Sequence, residues 1–83
     1  MTTDEVVEAI LKIDEVARFQ RVDERLIFLN ISAQTLVEIP VFETFSLSTN
    51  FSGFHFMNDG KSKSEVLKIA YEYACTPVDE RGY

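Results

Sequence analysis

The sequence predicts an α+β domain: an N-terminal helix, an antiparallel meander of three to four strands, and a C-terminal helix. Three observations carry this reading. Apolar residues recur at helical spacing behind capping signatures near both ends of the chain. Residues 26–42 are dense in β-branched and aromatic side chains that alternate along the chain. With 83 residues, there is room for one domain spanning 1–83, and a chain of this size buries only about 60% of the surface its unfolded form exposes.

The first helix opens at Thr2-Thr3-Asp4-Glu5, where Thr2 as N-cap and Glu5 three positions later form a capping box. Val6, Val7, Ile10, Leu11 and Ile13 then build one apolar stripe, with Asp4, Glu5, Glu8 and Lys12 on the wet side. Residues 15–22 fit either a continued helix or an alternating strand. The β-branched and aromatic residues beyond Asp14, and a turn-forming Asp23-Glu24-Arg25, favour a break near Asp14 and a strand after it.

Two further strands are expected at Leu26–Ile31 and Thr35–Phe42, joined by Ser32-Ala33-Gln34. Ile27, Leu29 and Ile31 share one parity, as do Val37, Ile39 and Val41, and these are assigned to the core face. Pro40 removes a ladder donor, which suits an edge or a bulge. Residues 43–57 alternate as a strand would, with Phe45, Leu47, Thr49 and Phe51 on one parity. The phase then slips near Asn50–Gly53, so that Phe54 and Phe56 fall on the other.

Asn58-Asp59-Gly60 reads as a turn, and Ser62-Lys63-Ser64-Glu65 as a second capping box. The closing helix carries Val66, Leu67, Ile69, Ala70, Tyr73 and Ala74 on its apolar side and ends near Cys75. Thr76-Pro77-Val78 has the signature of one more short turn, with Thr at the cap and Pro at the first helical position.

Composition restricts the function. Eight Lys+Arg against fourteen Asp+Glu give a net charge of -6, which opposes direct binding to nucleic-acid phosphates or anionic membrane. One cysteine, Cys75, forms no intramolecular disulfide and suits a reducing cytoplasm. The opening residues lack the pattern of a signal peptide, and no stretch is long and apolar enough to span a bilayer.

Catalytic chemistry finds no constellation, and no catalytic, cofactor-binding or metal-binding residue is assigned. His55 and Cys75 are twenty residues apart and fall short of a zinc ligand set or a nucleophile with its base and orienting group. His55 is expected on a solvated face and Cys75 at a helix end. Gly53, Gly60 and Gly82 are too scattered to cradle a phosphate. Arg18, Arg21 and Arg25 sit among Asp14, Glu15, Asp23 and Glu24, which points to local charge neutralisation. The aromatic residues of the strands read as core rather than as a base-stacking platform.

One pattern does point to function. Leu26, Phe28, Leu36 and Phe42 lie on the parity opposite to the assigned core face, so both faces of the hairpin carry large apolar groups. Either the two helices divide between the faces, or a second chain covers the remainder, making these four the candidate protein-contact residues.

The segment Tyr71-Glu72-Tyr73-Ala74-Cys75-Thr76-Pro77-Val78-Asp79-Glu80-Arg81 resembles the closing segment of small proteins of tailed phages and prophages of Gram-positive bacteria. There an aromatic-Ala-x-Thr-Pro-aliphatic-x-x-Arg ending follows a final helix. The opening Thr2–Ile10 is similar to their starts, and together the two stretches cover about a quarter of the chain. The resemblance implies a phage-encoded accessory protein and carries over no catalytic residue. Two functions are expected from this. The first is a non-enzymatic accessory domain that binds protein, either a second copy of itself or a host or phage partner. The second is an acidic inhibitor that imitates nucleic acid and blocks a host nuclease or defence enzyme, which requires carboxylates gathered on one face.

Overall fold

Helix α1, Thr3–Leu11, begins as its capping box dictates. Thr2 Oγ1 accepts from the Glu5 N–H at 3.2 Å, and Glu5 Oε1 accepts from the Thr2 N–H at 2.8 Å, so two otherwise orphaned donors satisfy each other's residues. In this computed structural model, which describes all residues from Met1 to Tyr83, Lys12 caps the helix C-terminus. Val6, Ile10 and Ile13 face the core. Glu15 then adopts a left-handed φ of 76° and turns the chain, so residues 15–22 resolve into a turn followed by strand β1, Arg18–Val22.

Strands β1, β2 (Arg25–Leu29) and β3 (Thr35–Pro40) form an antiparallel sheet in the order β1-β2-β3. Asp23 and Glu24 connect the first two with φ of 50° and 63°, the positive pair that a two-residue type I′ hairpin demands. Between β2 and β3, the Asn30 side chain organises the turn. Its Oδ1 accepts from the N–H groups of Ser32 and Gln34, as an Asx turn does.

Register reverses the expected core assignment of β2 and leaves that of β3, Val37, Ile39 and Val41, in place. A bulge at the start of β3 shifts the pairing so that Leu26 opposes Ile39 and Phe28 opposes Val37. Even positions of β2 therefore share a face with odd positions of β3. Leu26, Phe28, Val37, Ile39 and Val41 form one core face, all of them 0% exposed, and Phe19 of β1 joins them with its ring 5.6 Å from Phe28. Ile31, expected inside, is 92% exposed in the turn. The register accounts for Leu26 and Phe28, while Leu29 (7% exposed) and Leu36 (0%) are buried outside this core cluster.

Residues 43–57 do not form a strand. Their one backbone pairing with the sheet is Ser48, which exchanges both hydrogen bonds with Glu38 at 2.8 and 3.0 Å on the outer edge of β3. The phase slip near Gly53 is a short helix, α2, Ser52–His55. Gly53 is required by close approach, because a Cβ there would sit 2.4 Å from the Thr35 carbonyl oxygen.

Helix α3, Gly60–Ala74, starts earlier than the expected Ser62 cap. Asp59 is the N-cap, accepting from the Lys61 N–H at 3.0 Å and the Ser62 hydroxyl at 3.0 Å, and Ser62 lies buried in the first turn. Val66, Ala70, Tyr73 and Ala74 complete the core, and Cys75 caps the end. The extra turn exists as a 3-10 helix, Val78–Glu80, with Pro77 rather than Thr76 at its cap. None of the helices is long and apolar enough to cross a membrane.

The tail is locked by Arg81, which is 0% exposed. Its Nε donates to the Thr76 carbonyl, Nη1 to those of Pro40 and Val41, and Nη2 to that of Ala74, all between 2.9 and 3.0 Å. The guanidinium also lies 4.5 Å from the centre of the Tyr73 ring. A buried charge is tolerated only when its donors are satisfied. Here carbonyls at the negative end of α3 and the end of β3 do this in place of a carboxylate.

Candidate functional site

Of the four residues that the sequence offered as contacts, Leu26, Phe28 and Leu36 are fully buried within this one chain and belong to its interior. They have no surface to offer a partner. The register shift places the first two on the core face, and Leu36 sits in the bulge beside Gly53. Only Phe42 is exposed, at 43%, and its ring lies 4.8 Å from that of Tyr83.

The structure draws attention elsewhere, to the loop after β3. Phe45 has φ of 61°, a left-handed conformation that is costly for a bulky side chain. It is nevertheless 79% exposed. Its backbone N–H donates to the Ala74 carbonyl at 2.7 Å, which clamps the loop to the C-terminal end of α3. The clamp holds the strained backbone while the ring stays in solvent.

Below that ring lies a groove of about 250 Å³ lined entirely by apolar or aromatic side chains: Phe45, Leu47, Tyr71, Ala74 and Cys75. Leu47 packs against the core, and Tyr71 is 64% exposed on α3. The neighbouring Cys75 side chain holds the Tyr71 phenol above its ordinary value. An apolar floor between two exposed aromatic rings suits an inserted apolar side chain, with Tyr71 keeping a polar handle at the rim.

A larger groove of about 340 Å³ separates the β2–β3 turn from α2, with Ile31 and Phe56 at its mouth. Glu15 ties its far side: Oε1 accepts from the Asn58 N–H at 2.8 Å and Oε2 from the Asp59 N–H at 2.9 Å. Its lining is mainly polar, and its left-handed residue, Glu15 at φ 76°, is a carboxylate whose two oxygens are already taken by those amides rather than an exposed ring.

His55 lies exposed on α2 rather than on a strand, and it lines none of the four grooves of the surface. Cys75 is half-buried at the end of α3, as its position in the sequence indicates. No group of three or more His, Cys, Asp or Glu side chains is placed to hold a metal ion. Arg25 is neutralised by Glu38 at 2.8 Å, while Arg21 donates to the Tyr83 carbonyl and Arg18 has no carboxylate within ion-pair distance.

Sequence reasoning missed Phe45 as a surface residue because its parity placed it in a strand. The visible signal was its neighbourhood, Glu43-Thr44-Phe45-Ser46, where a single large ring stands among polar residues. Nothing in the local sequence around Arg81 marks it as a buried residue. No protein-family model, curated protein or solved structure matches the chain.

Proposed function

We propose that the chain is a non-enzymatic protein-binding domain, a phage or prophage accessory protein of the kind its ending resembles, which seats an apolar side chain of a partner protein in the Phe45–Tyr71 groove. The observation that carries this reading is Phe45, held at φ 61° and 79% exposed. Backbone strain at an exposed aromatic residue contributes nothing to a monomer's stability, and aromatic anchors over apolar pockets are the residues that dominate protein interfaces. The unpaired thiol of Cys75 fits action in the host cytoplasm.

The acidic-decoy reading draws less support. A decoy needs carboxylates gathered on one face, and five of the fourteen, Glu5, Glu8, Glu15, Glu38 and Asp59, are each engaged by groups of this chain.

The test is co-purification from the native bacterial host with wild type, Phe45→Gly and Tyr71→Ala, read by mass spectrometry. Phe45→Gly is expected to gain about 1 kcal/mol of stability, since glycine adopts positive φ without a steric penalty, and to lose the partner. A variant that stays folded and keeps its partner places the contact elsewhere.

A further inference from the structure

Residues 42–50 are tied to the rest of the chain at two points. The Phe45 N–H donates to the Ala74 carbonyl at 2.7 Å, and Ser48 exchanges two backbone hydrogen bonds with Glu38. No side chain of the segment bonds or pairs outside it; the Ser48 hydroxyl accepts only from the Asn50 N–H. None of its residues is buried, and Leu47 alone packs against the core. The anchors on either side are firm. Val41 is buried, with its N–H donated to Glu24 and its carbonyl held by Arg81, while the Phe51 carbonyl accepts from the first amides of α2.

Releasing this segment orphans no buried group. The Ala74 carbonyl keeps Arg81 Nη2 at 3.0 Å, and the N–H and C=O of Glu38 lie on the outer edge of the sheet, where water takes the place of Ser48. Holding it in place, by contrast, keeps Phe45 at φ 61°, a cost that release removes. Few buried contacts, exposed hydrogen bonds and a strained residue together put a segment at the low end of local opening free energies.

We propose that residues 42–50 open and close as one strap on an otherwise intact fold, and that only the closed strap builds the Phe45–Tyr71 groove. This names the regulation of that site and rests on the groove reading for its consequence. Phe45 and Leu47, two of the five lining residues, leave with the strap, while Tyr71, Ala74 and Cys75 stay on α3. A partner side chain then binds the closed state alone, and its apparent affinity falls in proportion to the closed fraction.

Native-state hydrogen exchange on the whole chain, followed amide by amide in rising urea below the unfolding transition, tests the strap with no partner present. The Glu38, Phe45 and Ser48 amides are expected to share one opening free energy with a shallow urea slope. Their protection is expected on the order of a hundredfold below that of the Val41 amide, which bonds within the sheet to Glu24 and follows global unfolding. Phe45→Asn keeps a side chain but tolerates the left-handed region, so it raises protection at Glu38 and Ser48 on the order of threefold. A Glu38 amide that exchanges only with Val41 overturns the proposal, because the strap then stays shut until the whole fold opens. So do Glu38 and Ser48 amides that are unmoved by Phe45→Asn, which would mean that the two ties fray independently. Partner capture enters none of these readouts, so the strap and the groove reading fail separately.

Discussion

Arg81 shows how one side chain can replace a larger core. Its four carbonyl acceptors belong to three separate segments, the end of β3, the end of α3 and the turn that follows. Removing it leaves the carbonyls of Pro40, Val41 and Thr76 without that donor, and the Ala74 carbonyl with the Phe45 N–H alone, in a space that water reaches poorly. Arg81→Ala is therefore expected to cost about 3–5 kcal/mol, the scale for breaking a buried charged network, read from urea unfolding at constant slope. Arg81→Lys is expected to recover less than half, because a point charge with three donors cannot reproduce the planar fork. Two exposed carboxylates act at the same scale through pH. The Thr2 N–H and hydroxyl hold Glu5 below its ordinary value of 4.5, and the Lys61 N–H with the Ser62 hydroxyl hold Asp59 below 3.8. A depressed folded value means stability that is complete above the unfolded value and is lost as pH falls through the folded one. Thermal melts from pH 6 to pH 2 should thus decline below about pH 4.5, and the decline should be shallower in Asp59→Asn.

Elements differ in how far the sequence disclosed them, and the difference follows the range of the forces that set them. Helix α1 was legible because Thr2 and Glu5 are four-residue neighbours that cap each other. The start of α3 was misplaced because Ser62–Glu65 has the right spacing for a capping box, but Asp59 offers a stronger acceptor one turn earlier. The sheet was legible as a meander, whereas its register was not. Leu26 and Phe28 join Val37 and Ile39 only because a bulge at the start of β3 offsets the pairing by one residue, a tertiary event with no local sequence mark. The Phe45 groove was illegible for the same reason, since it needs the Ala74 carbonyl from twenty-nine positions away in the chain. Gly53 makes the corresponding test. Helix α2 lies against Thr35 where no Cβ fits, so Gly53→Ala must push α2 off the start of β3. Overpacking of this kind costs about 1–3 kcal/mol. Chemical-shift changes are expected to concentrate at Thr35, Leu36 and the neighbouring groove; changes confined to residue 53 would show that α2 yields without cost.

At the scale of the whole molecule, helices α1 and α3 and the sheet share one cluster of twelve buried residues, and the two ends of the chain are fastened to each other. The Thr3 N–H donates to the Arg81 carbonyl, the Met1 amine donates to Thr76 Oγ1 at 3.1 Å, and the hydroxyls of Thr3 and Tyr73 share a buried hydrogen bond of 2.8 Å. No subset of elements then holds a core of its own, which predicts a single cooperative transition with coincident far-ultraviolet and tyrosine signals. A domain of this length has about 4–12 kcal/mol to lose. Deleting Val78–Tyr83 removes Arg81, the Thr3 contact and the Tyr83 ring that covers Phe42 together. The expected loss for Arg81 alone is already a large share of that range, so the truncated chain should show no cooperative melt at 37 °C. Retention of a sharp transition would mean that the meander and two helices suffice without the tail, and that the Thr76–Arg81 segment serves contacts outside this fold. Loss of the transition assigns that ending a structural task, in which Pro77 stops the chain, one 3-10 turn redirects it, and Arg81 enters the gap between α3 and β3.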